Sequence, residues 1–344
     1  MITYLHNYKK LFISITLFFL LVTSINAKIF ITVENSASSG EVPGGFPGEL
    51  IRVFAVANEK LENLHVLLST QNREEIARFE GFKYDPGKII GADNKPLNFV
   101  CMVAIISTGS TISWGKYIVS VYINNEESPR KEFPLFIKQK EFTRETIHLN
   151  QALSDLRTDT SGRRERESQE LFRLLSKFNK ENVFTDTRVM KPFLVEPYYI
   201  TSRYGDIRRF VYRGGATANS IHHGIDYAAE QGSSVFACAA GKVVFAGERL
   251  ITGYTVVIEH LPGLYSLYYH LDKIYVIENT FVSKGVIIGL LGNTGLSTAA
   301  HLHWEIRNQG KTVDPDFLIE NPMIDKDKII SIIKSDFADM AEGR

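Results

Sequence analysis

Residues 301–306 read His-Leu-His-Trp-Glu-Ile, a strict alternation of polar and apolar side chains. Side chains of a β-strand point alternately to its two faces, so His301 and His303 would share one face with Glu305, and the three apolar side chains would share the other. The apolar face belongs in a hydrophobic core. Two imidazoles on the opposite face would line the floor of a cleft, which predicts a functional site on a core strand.

Two further histidine motifs precede this strand. Residues 221–226 read Ile-His-His-Gly-Ile-Asp, in which His222 and Asp226 are four positions apart and would face the same side of an extended chain. Gly224 between them lets the backbone bend closely around an ion. The other motif, Ser-Leu-Tyr-Tyr-His-Leu, places His270 at the end of another strand. Imidazoles and a carboxylate can therefore converge.

Such a combination of side chains suits a catalytic zinc ion. Zinc in a hydrolase takes three protein ligands and keeps its fourth position for a water molecule, whose pKa falls to about 7. Two histidines and one aspartate satisfy that count. Calcium and magnesium prefer all-oxygen ligands, so the imidazoles favour zinc. The helical zinc-peptidase signature His-Glu-x-x-His is absent from the sequence, which argues against a thermolysin-like site.

The hydrophobic pattern predicts a mainly β protein with several parts. Up to about residue 138, short strand-like runs alternate with Gly, Pro and Asn breakers, which is typical of an immunoglobulin-like β-sandwich. Between 141 and 182, Gly and Pro nearly vanish, charges crowd together and apolar residues recur at helical spacing, which predicts a helical connector. The strand pattern then returns as far as Leu318, and residues 324–340 have the spacing of a terminal helix.

The N-terminus has the pattern of a signal peptide. Lys9 and Lys10 precede a short apolar run that ends in small and polar residues before Ala27. We therefore expect an exported protein, periplasmic or associated with the cell envelope. The alternative is an uncleaved membrane anchor, because Ile25 stands where signal cleavage after Ala27 favours alanine. The predicted parts are a signal peptide (1–27), an accessory β-sandwich (28–140), a helical connector (141–192), a β-rich catalytic domain (193–320) and a helical tail (321–344).

The charge balance and the cysteine content of the chain exclude some classes of function. Lys and Arg together number 39, as do Asp and Glu, so the chain is no polycation and we expect no nucleic-acid partner. The two cysteines, Cys101 and Cys238, lie in apolar runs of different predicted domains, and we expect both to be buried without a disulfide. His260 precedes Leu-Pro-Gly and is predicted to be a turn residue.

Several motifs follow one another in a fixed order along the C-terminal third. They are His-His-Gly-Ile-Asp (222–226), Gly-Lys-Val-Val-Phe-Ala-Gly (241–247), Tyr-Tyr-His-Leu (268–271), Gly-Asn-Thr-Gly (292–295) and His-Leu-His-Trp-Glu (301–305). With these motifs, the segment from Tyr198 to Leu318 resembles the catalytic domain of the lysostaphin-like zinc endopeptidases, which hydrolyse peptidoglycan peptides. One departure is Thr-Ala-Ala at 298–300, where that family often has glycine before His-x-His.

The resemblance implies a role for each histidine of the set. It makes His222, Asp226 and His303 the ligands of one zinc ion per chain. It places His270 and His301 beside the metal-bound water, as general base and acid or as holders of the oxyanion. Some family members also use an upstream tyrosine, for which the nearby candidates are Tyr204 and Tyr212.

The sequence therefore predicts an exported zinc endopeptidase whose partner is a peptidoglycan peptide, with a membrane contact only if the N-terminal segment stays uncleaved. Its oligomeric state is left open. Two alternatives remain. One is a catalytically silent regulator of other cell-wall hydrolases, of the kind that has lost the zinc ligands. The other is a swinging-arm carrier module around Lys242 and Lys284, which would have no use for His222 with Asp226.

Overall fold

The computed structural model describes residues 29–34, 44–58, 60–90, 94–193 and 197–341. The predicted signal peptide lies outside these residues. Within the described ranges, no helix is both long and apolar enough to cross a membrane.

The N-terminal part of the described chain is built from strands. They are β1 (Ile29–Glu34), β2 (Gly44–Gly45), β3 (Leu50–Ala57), β4 (Leu64–Thr70), β5 (Glu75–Lys83), β6 (Val100–Ser107), β7 (Gly115–Ile123) and β8 (Lys131–Ile137). Their order is β1-β3-β6-β5-β4-β7-β8-β2. Residues 75–80 of β5 pair with β4 and residues 81–83 pair with β6, so β5 belongs to two sheets.

The two sheets pack face to face. Alternate side chains of β3, such as Val53 and Ala55, meet Val66 of β4 and Val119 of β7 in one apolar cluster. The strands therefore form a sandwich, and its assignment to the immunoglobulin type stays a prediction.

The other face of the sandwich is buried as well. Phe54 of β3 and Val103 of β6 belong to a second apolar cluster that also contains Trp304 and Leu302 from the C-terminal part. The side-chain amide of Asn308 donates to the Ile105 carbonyl across this contact, at 2.8 Å. The N-terminal sandwich and the C-terminal part thus share one continuous core. Their exact boundaries along the chain stay predictions.

The connector contains a strand as well as helices. Its elements are β9 (Arg144–His148), α1 (Gln151–Arg157) and α2 (Arg163–Leu175). Asn150 caps α1, since its side chain accepts from the Leu153 amide at 2.9 Å. Helix is thus confined to two short stretches, and residues 144–148 are extended instead. They pair in parallel with a strand far along the chain, a tertiary contact that local helical spacing does not show.

The C-terminal part consists mainly of strands, which two helices follow. The elements are β10 (Tyr199–Ser202), β11 (Ile207–Val211), β12 (Thr217–Ile221), β13 (Gly224–Ala228), β14 (Ser234–Phe236), β15 (Gly241–Arg249), β16 (Gly253–Leu261), β17 (Leu264–Ile274), β18 (Phe281–Val282), β19 (Ile287–Leu291), β20 (Leu302–Asn308), β21 (Lys311–Val313), α3 (Pro315–Glu320) and α4 (Lys326–Ala341). The main sheet runs β10-β13-β20-β17-β16-β15-β18, and β12, β11 and β9 form a separate small sheet. The prediction of a mainly β protein is confirmed, and the structure contains few helices.

Strand β20 has the two faces that its alternation predicts. Leu302, Trp304 and Ile306 are fully buried in the apolar core. Both cysteines, Cys101 and Cys238, are buried free thiols.

His260 is a core residue, and its prediction as a turn residue is wrong. It lies in β16 and is fully buried. Its Nδ1–H donates to the Ala240 carbonyl at 2.8 Å, and Nε2 lies 2.7 Å from the Ser266 hydroxyl. Both ring nitrogens thus have partners inside the core, which makes the buried imidazole tolerable. Burial lowers the pKa of His260 to about 4.

This buried imidazole predicts acid sensitivity. An unfolded histidine has a pKa of about 6.5, so between pH 6.5 and 4 the unfolded state binds more protons than the folded state. The stability that neutral His260 contributes is fully present above that range and is lost as the pH falls through it, by up to about 3 kcal/mol. Urea unfolding across this range should show a shallower pH dependence for His260→Gln than for wild type. Exposed His148→Gln is the control, and equal slopes for wild type and His260→Gln would contradict the assignment.

Candidate metal centre and groove

The predicted metal ligands come together because two strands pair around them. Strand β13 is antiparallel to β20, and Asp226 lies directly opposite His303 in their register. His222 lies in the short link between β12 and β13. A Cβ atom at Gly224 would lie 2.2 Å from the Trp304 carbonyl oxygen, so this close approach of the two backbones requires glycine.

Three donor atoms converge on one point. His222 Nε2 lies 3.0 Å from Asp226 Oδ1 and 2.8 Å from His303 Nδ1, and His303 Nδ1 lies 2.7 Å from the same carboxylate oxygen. All three residues are buried, and their donor atoms lie within 4.8 Å of one another. Two imidazole nitrogens and one carboxylate oxygen are the donor set of a zinc site, so these residues fit such an ion.

Hydrogen bonds behind the two histidines orient their rings. His222 Nδ1 donates to the Arg203 carbonyl at 2.8 Å, which leaves Nε2 facing the cluster as an acceptor. His303 Nε2 lies 2.8 Å from Glu305 Oε1. Partners of this kind fix the tautomer and the ring plane of metal-binding histidines.

The charges of the cluster are strongly coupled. Although burial opposes the shift, Asp226 and Glu305 raise the pKa of His303 to about 9. His303 and His222 in turn hold the pKa of Asp226 well below its ordinary value against the opposing effect of burial. In the metal-free protein, His303 therefore carries a proton on Nδ1 that a metal ion would displace, and the Nε2 bond to Glu305 would remain.

His270 and His301 lie beside this cluster. Their ring centroids are 4.8 Å apart, and His301 Nε2 lies 3.8 Å from Asp226 Oδ1. Each ring donates from Nδ1 to a backbone carbonyl, His270 to Thr294 at 2.7 Å and His301 to Ala299 at 2.8 Å. Nε2 is thereby left as the basic atom of both rings. Burial lowers the pKa of both groups, that of His270 to about 3, so both are neutral near pH 7.

His270 also has a backbone conformation that few non-glycine residues adopt, with φ of +62°. Its amide donates to the Thr252 carbonyl at 2.8 Å, which helps to hold the conformation. A strained backbone conformation persists only where the surrounding structure holds it, and such residues cluster at functional sites.

Arg208 is a neighbour of the cluster that sequence reasoning missed. Its Nη2 forms an ion pair with Asp226 Oδ2, and its Nε donates to Glu145 Oε1 at 2.5 Å. Asp226 therefore directs one oxygen at the histidines and the other at Arg208. Because Glu145 belongs to β9, a connector residue buttresses the centre.

The cluster lies in a groove of about 240 Å³. Its lining comes from the small sheet and α1 and from the loops after β15 and β19. Apolar residues of this lining are Ile147, Leu149, Leu153, Phe210, Ile251 and Leu296. A larger cleft of about 540 Å³ lies elsewhere, beside Tyr84 and Asp186, and shares no residue with this groove.

The two tyrosines considered for an oxyanion role have other partners. Tyr204 is buried and its hydroxyl lies 2.8 Å from Thr312 Oγ1, while the Tyr212 hydroxyl accepts from Arg157. The tyrosine that contacts the centre is Tyr269, whose ring stacks on His303 at a centroid distance of 5.2 Å. His223 also lines the groove beside His222.

A buried cluster of two histidines and an aspartate in a groove defines a protein with a candidate divalent-metal centre. Residues 220–315 match the model of peptidase family M23, and the C-terminal domain of this chain belongs to that family. The predicted resemblance to lysostaphin-like enzymes is thereby confirmed.

Relatives are similar over this domain. "DD-carboxypeptidase/endopeptidase Mpg" of Neisseria meningitidis is 44% identical over 95 residues, and "Peptidoglycan DD-endopeptidase ShyA" of Vibrio cholerae is 40% identical over 93 residues. These matches cover 28% and 27% of this chain, and only 22% of each relative. The solved catalytic domain of lysostaphin from Staphylococcus simulans is 31% identical, with 36% of this chain and 93% of that chain covered and a TM-score of 0.32.

The ion pair behind Asp226 can be tested by removing the cation. Arg208→Met would leave the outer carboxylate oxygen of Asp226 without its partner and free to rotate. We expect the affinity for Zn²⁺, measured by competition with a chromophoric chelator, to fall about 10–100-fold. Exposed Arg209→Met on the same strand is the matched control. An unchanged affinity for Arg208→Met would show that this contact does not orient the ligand.

Proposed function

We propose that this chain is a zinc-dependent endopeptidase that hydrolyses peptide bonds of bacterial peptidoglycan outside the cytoplasm. The observation that carries the proposal is the convergence of His222, Asp226 and His303, with two neutral histidines beside them. Membership of the M23 family and the activities named for the relatives support a peptidase acting on the cell wall.

The residues divide the chemistry among themselves. His222, Asp226 and His303 would hold the zinc ion, which when bound supplies an acidified water and polarises the substrate carbonyl. His270 and His301 present Nε2 as a base, because Nδ1 of each ring is held by a carbonyl. One of them accepts the proton of the attacking water, and a protonated imidazole then donates to the leaving amine nitrogen. The apolar residues of the groove, such as Leu153 and Phe210, would contact the side chains of the bound peptide.

The competing hypothesis of a silent regulator is not favoured. A domain that had lost its chemistry would have no reason to keep the three buried donors and both flanking histidines in contact. The carrier hypothesis likewise leaves this cluster unexplained.

The central prediction concerns metal and activity together. Purified wild-type protein should contain about one zinc per chain and release peptide fragments from purified sacculi, measured by elemental analysis and mass spectrometry. His303→Ala should lose both, because it removes a ligand. His65→Ala, on the N-terminal sandwich, is the control. Wild type and His303→Ala releasing the same fragments would sink the enzyme proposal, and wild type that lacks stoichiometric zinc and releases nothing would favour the regulator.

A second prediction separates metal binding from proton transfer. His270→Ala should keep stoichiometric zinc, since it contributes no ligand, while kcat falls about 100-fold or more through the loss of a positioned acid or base. The measurement pairs zinc content with turnover of a synthetic wall peptide. Zinc content falling in step with kcat would instead assign His270 to the metal.

A further inference from the structure

The last residue of α1 is an arginine held in an unusual setting. The Arg157 guanidinium carbon lies 3.8 Å from the centroid of the Phe210 ring. Its Nε donates to the Tyr212 hydroxyl at 3.1 Å. Stacking on one face and a hydrogen bond at Nε fix the plane of the guanidinium, so little side-chain entropy is left to lose on binding.

The two terminal nitrogens of Arg157 are available to a ligand. No described residue forms an ion pair with Arg157, and neither terminal nitrogen has a hydrogen-bond partner among the described residues. Arg208 in the same groove differs, since Glu145 and Asp226 occupy it. Arg157 is half-buried, which places an uncompensated cation on a partly apolar wall.

Arg157 lies in the same groove as the metal centre. Arg157 lines the groove that also contains His301 and His303, and its apolar neighbours there include Leu149 and Leu153. A fixed guanidinium with two free terminal nitrogens can donate one N–H from each to the two oxygens of a carboxylate in a bidentate pair. An extended peptide passing the centre would meet this group on the connector wall.

We propose that Arg157 is a specificity-determining residue that binds a free carboxylate of the peptide substrate. This inference rests on the proposed function, and it extends it by giving the connector a role in substrate choice. The substrate class is an anionic peptide whose carboxylate lies near the scissile bond.

The test compares two synthetic peptides that share the scissile bond and differ only in a free carboxylate or a carboxamide beside it. Wild type should cleave the carboxylate peptide with a kcat/KM about 10–100-fold higher, the range of a charge-assisted hydrogen-bonded pair. Arg157→Met, which keeps an apolar contact with Phe210, should lose this preference while its rate on the carboxamide peptide stays near wild type. Arg157→Lys should keep a part of the preference, since it has charge without the fork. Exposed Arg173→Met on α2 should behave as wild type.

Each result decides one claim. Wild type that cleaves both peptides equally overturns the carboxylate site and leaves the proposed function standing. If Arg157→Met lowers kcat/KM equally on both peptides and leaves the melting temperature unchanged, Arg157 only shapes the groove. This result also overturns the carboxylate site. Zinc-loaded wild type that cleaves neither peptide and leaves sacculi intact overturns the proposed function, and the inference with it.

Discussion

The pairing of β13 with β20 is the constraint on which the centre depends. It sets Asp226 against His303, and the same strand β20 pairs on its other edge with β17, where Tyr269 lies opposite His303. A slip of one residue would turn every side chain of β20 to the other face. Trp304 would then enter the groove and His303 the core, and both costs oppose the slip. The buried apolar face thus fixes the register that assembles the donors.

The sheet that contains β3 and β6 is buried on both faces, and this burial supports the pairing of β13 with β20. Strands β3 and β6 direct one set of side chains into the sandwich and the other set onto the C-terminal core, so the sandwich is part of the frame around β20. The connector is fixed in a comparable way. Leu171, Leu174 and Leu175 of α2 pack on the β16 and β17 side chains, and β9 hydrogen-bonds along β11. The groove wall that carries Arg157 is therefore part of the packed structure.

Local pattern predicted the candidate side chains, the family resemblance selected His222, Asp226 and His303 among them as ligands, and non-local pairing accounts for what both missed. The alternation in 301–306 specifies both faces of β20, and the motif at 222–226 places an imidazole and a carboxylate on one side. Arg208 could not be found that way, because its role depends on the parallel pairing of β9 with β11, about 60 residues apart. His260 was misread because Leu-Pro-Gly marks a turn one residue later, and no local signal shows the Ala240 carbonyl that receives its proton.

The charges around the centre alternate along a continuous chain. Glu145 pairs with Arg208, Arg208 with Asp226, Asp226 with His303, His303 with Glu305, and Glu305 with Arg307 at 2.6 Å. A proton on His303 completes this alternation in the absence of metal, because it places a positive charge between two buried carboxylates. A divalent ion at the three donors would replace that proton and add one further positive charge. The pairs with Arg208 and Glu305 use Asp226 Oδ2 and His303 Nε2, so a metal ion held by Asp226 Oδ1 and His303 Nδ1 would not compete with them.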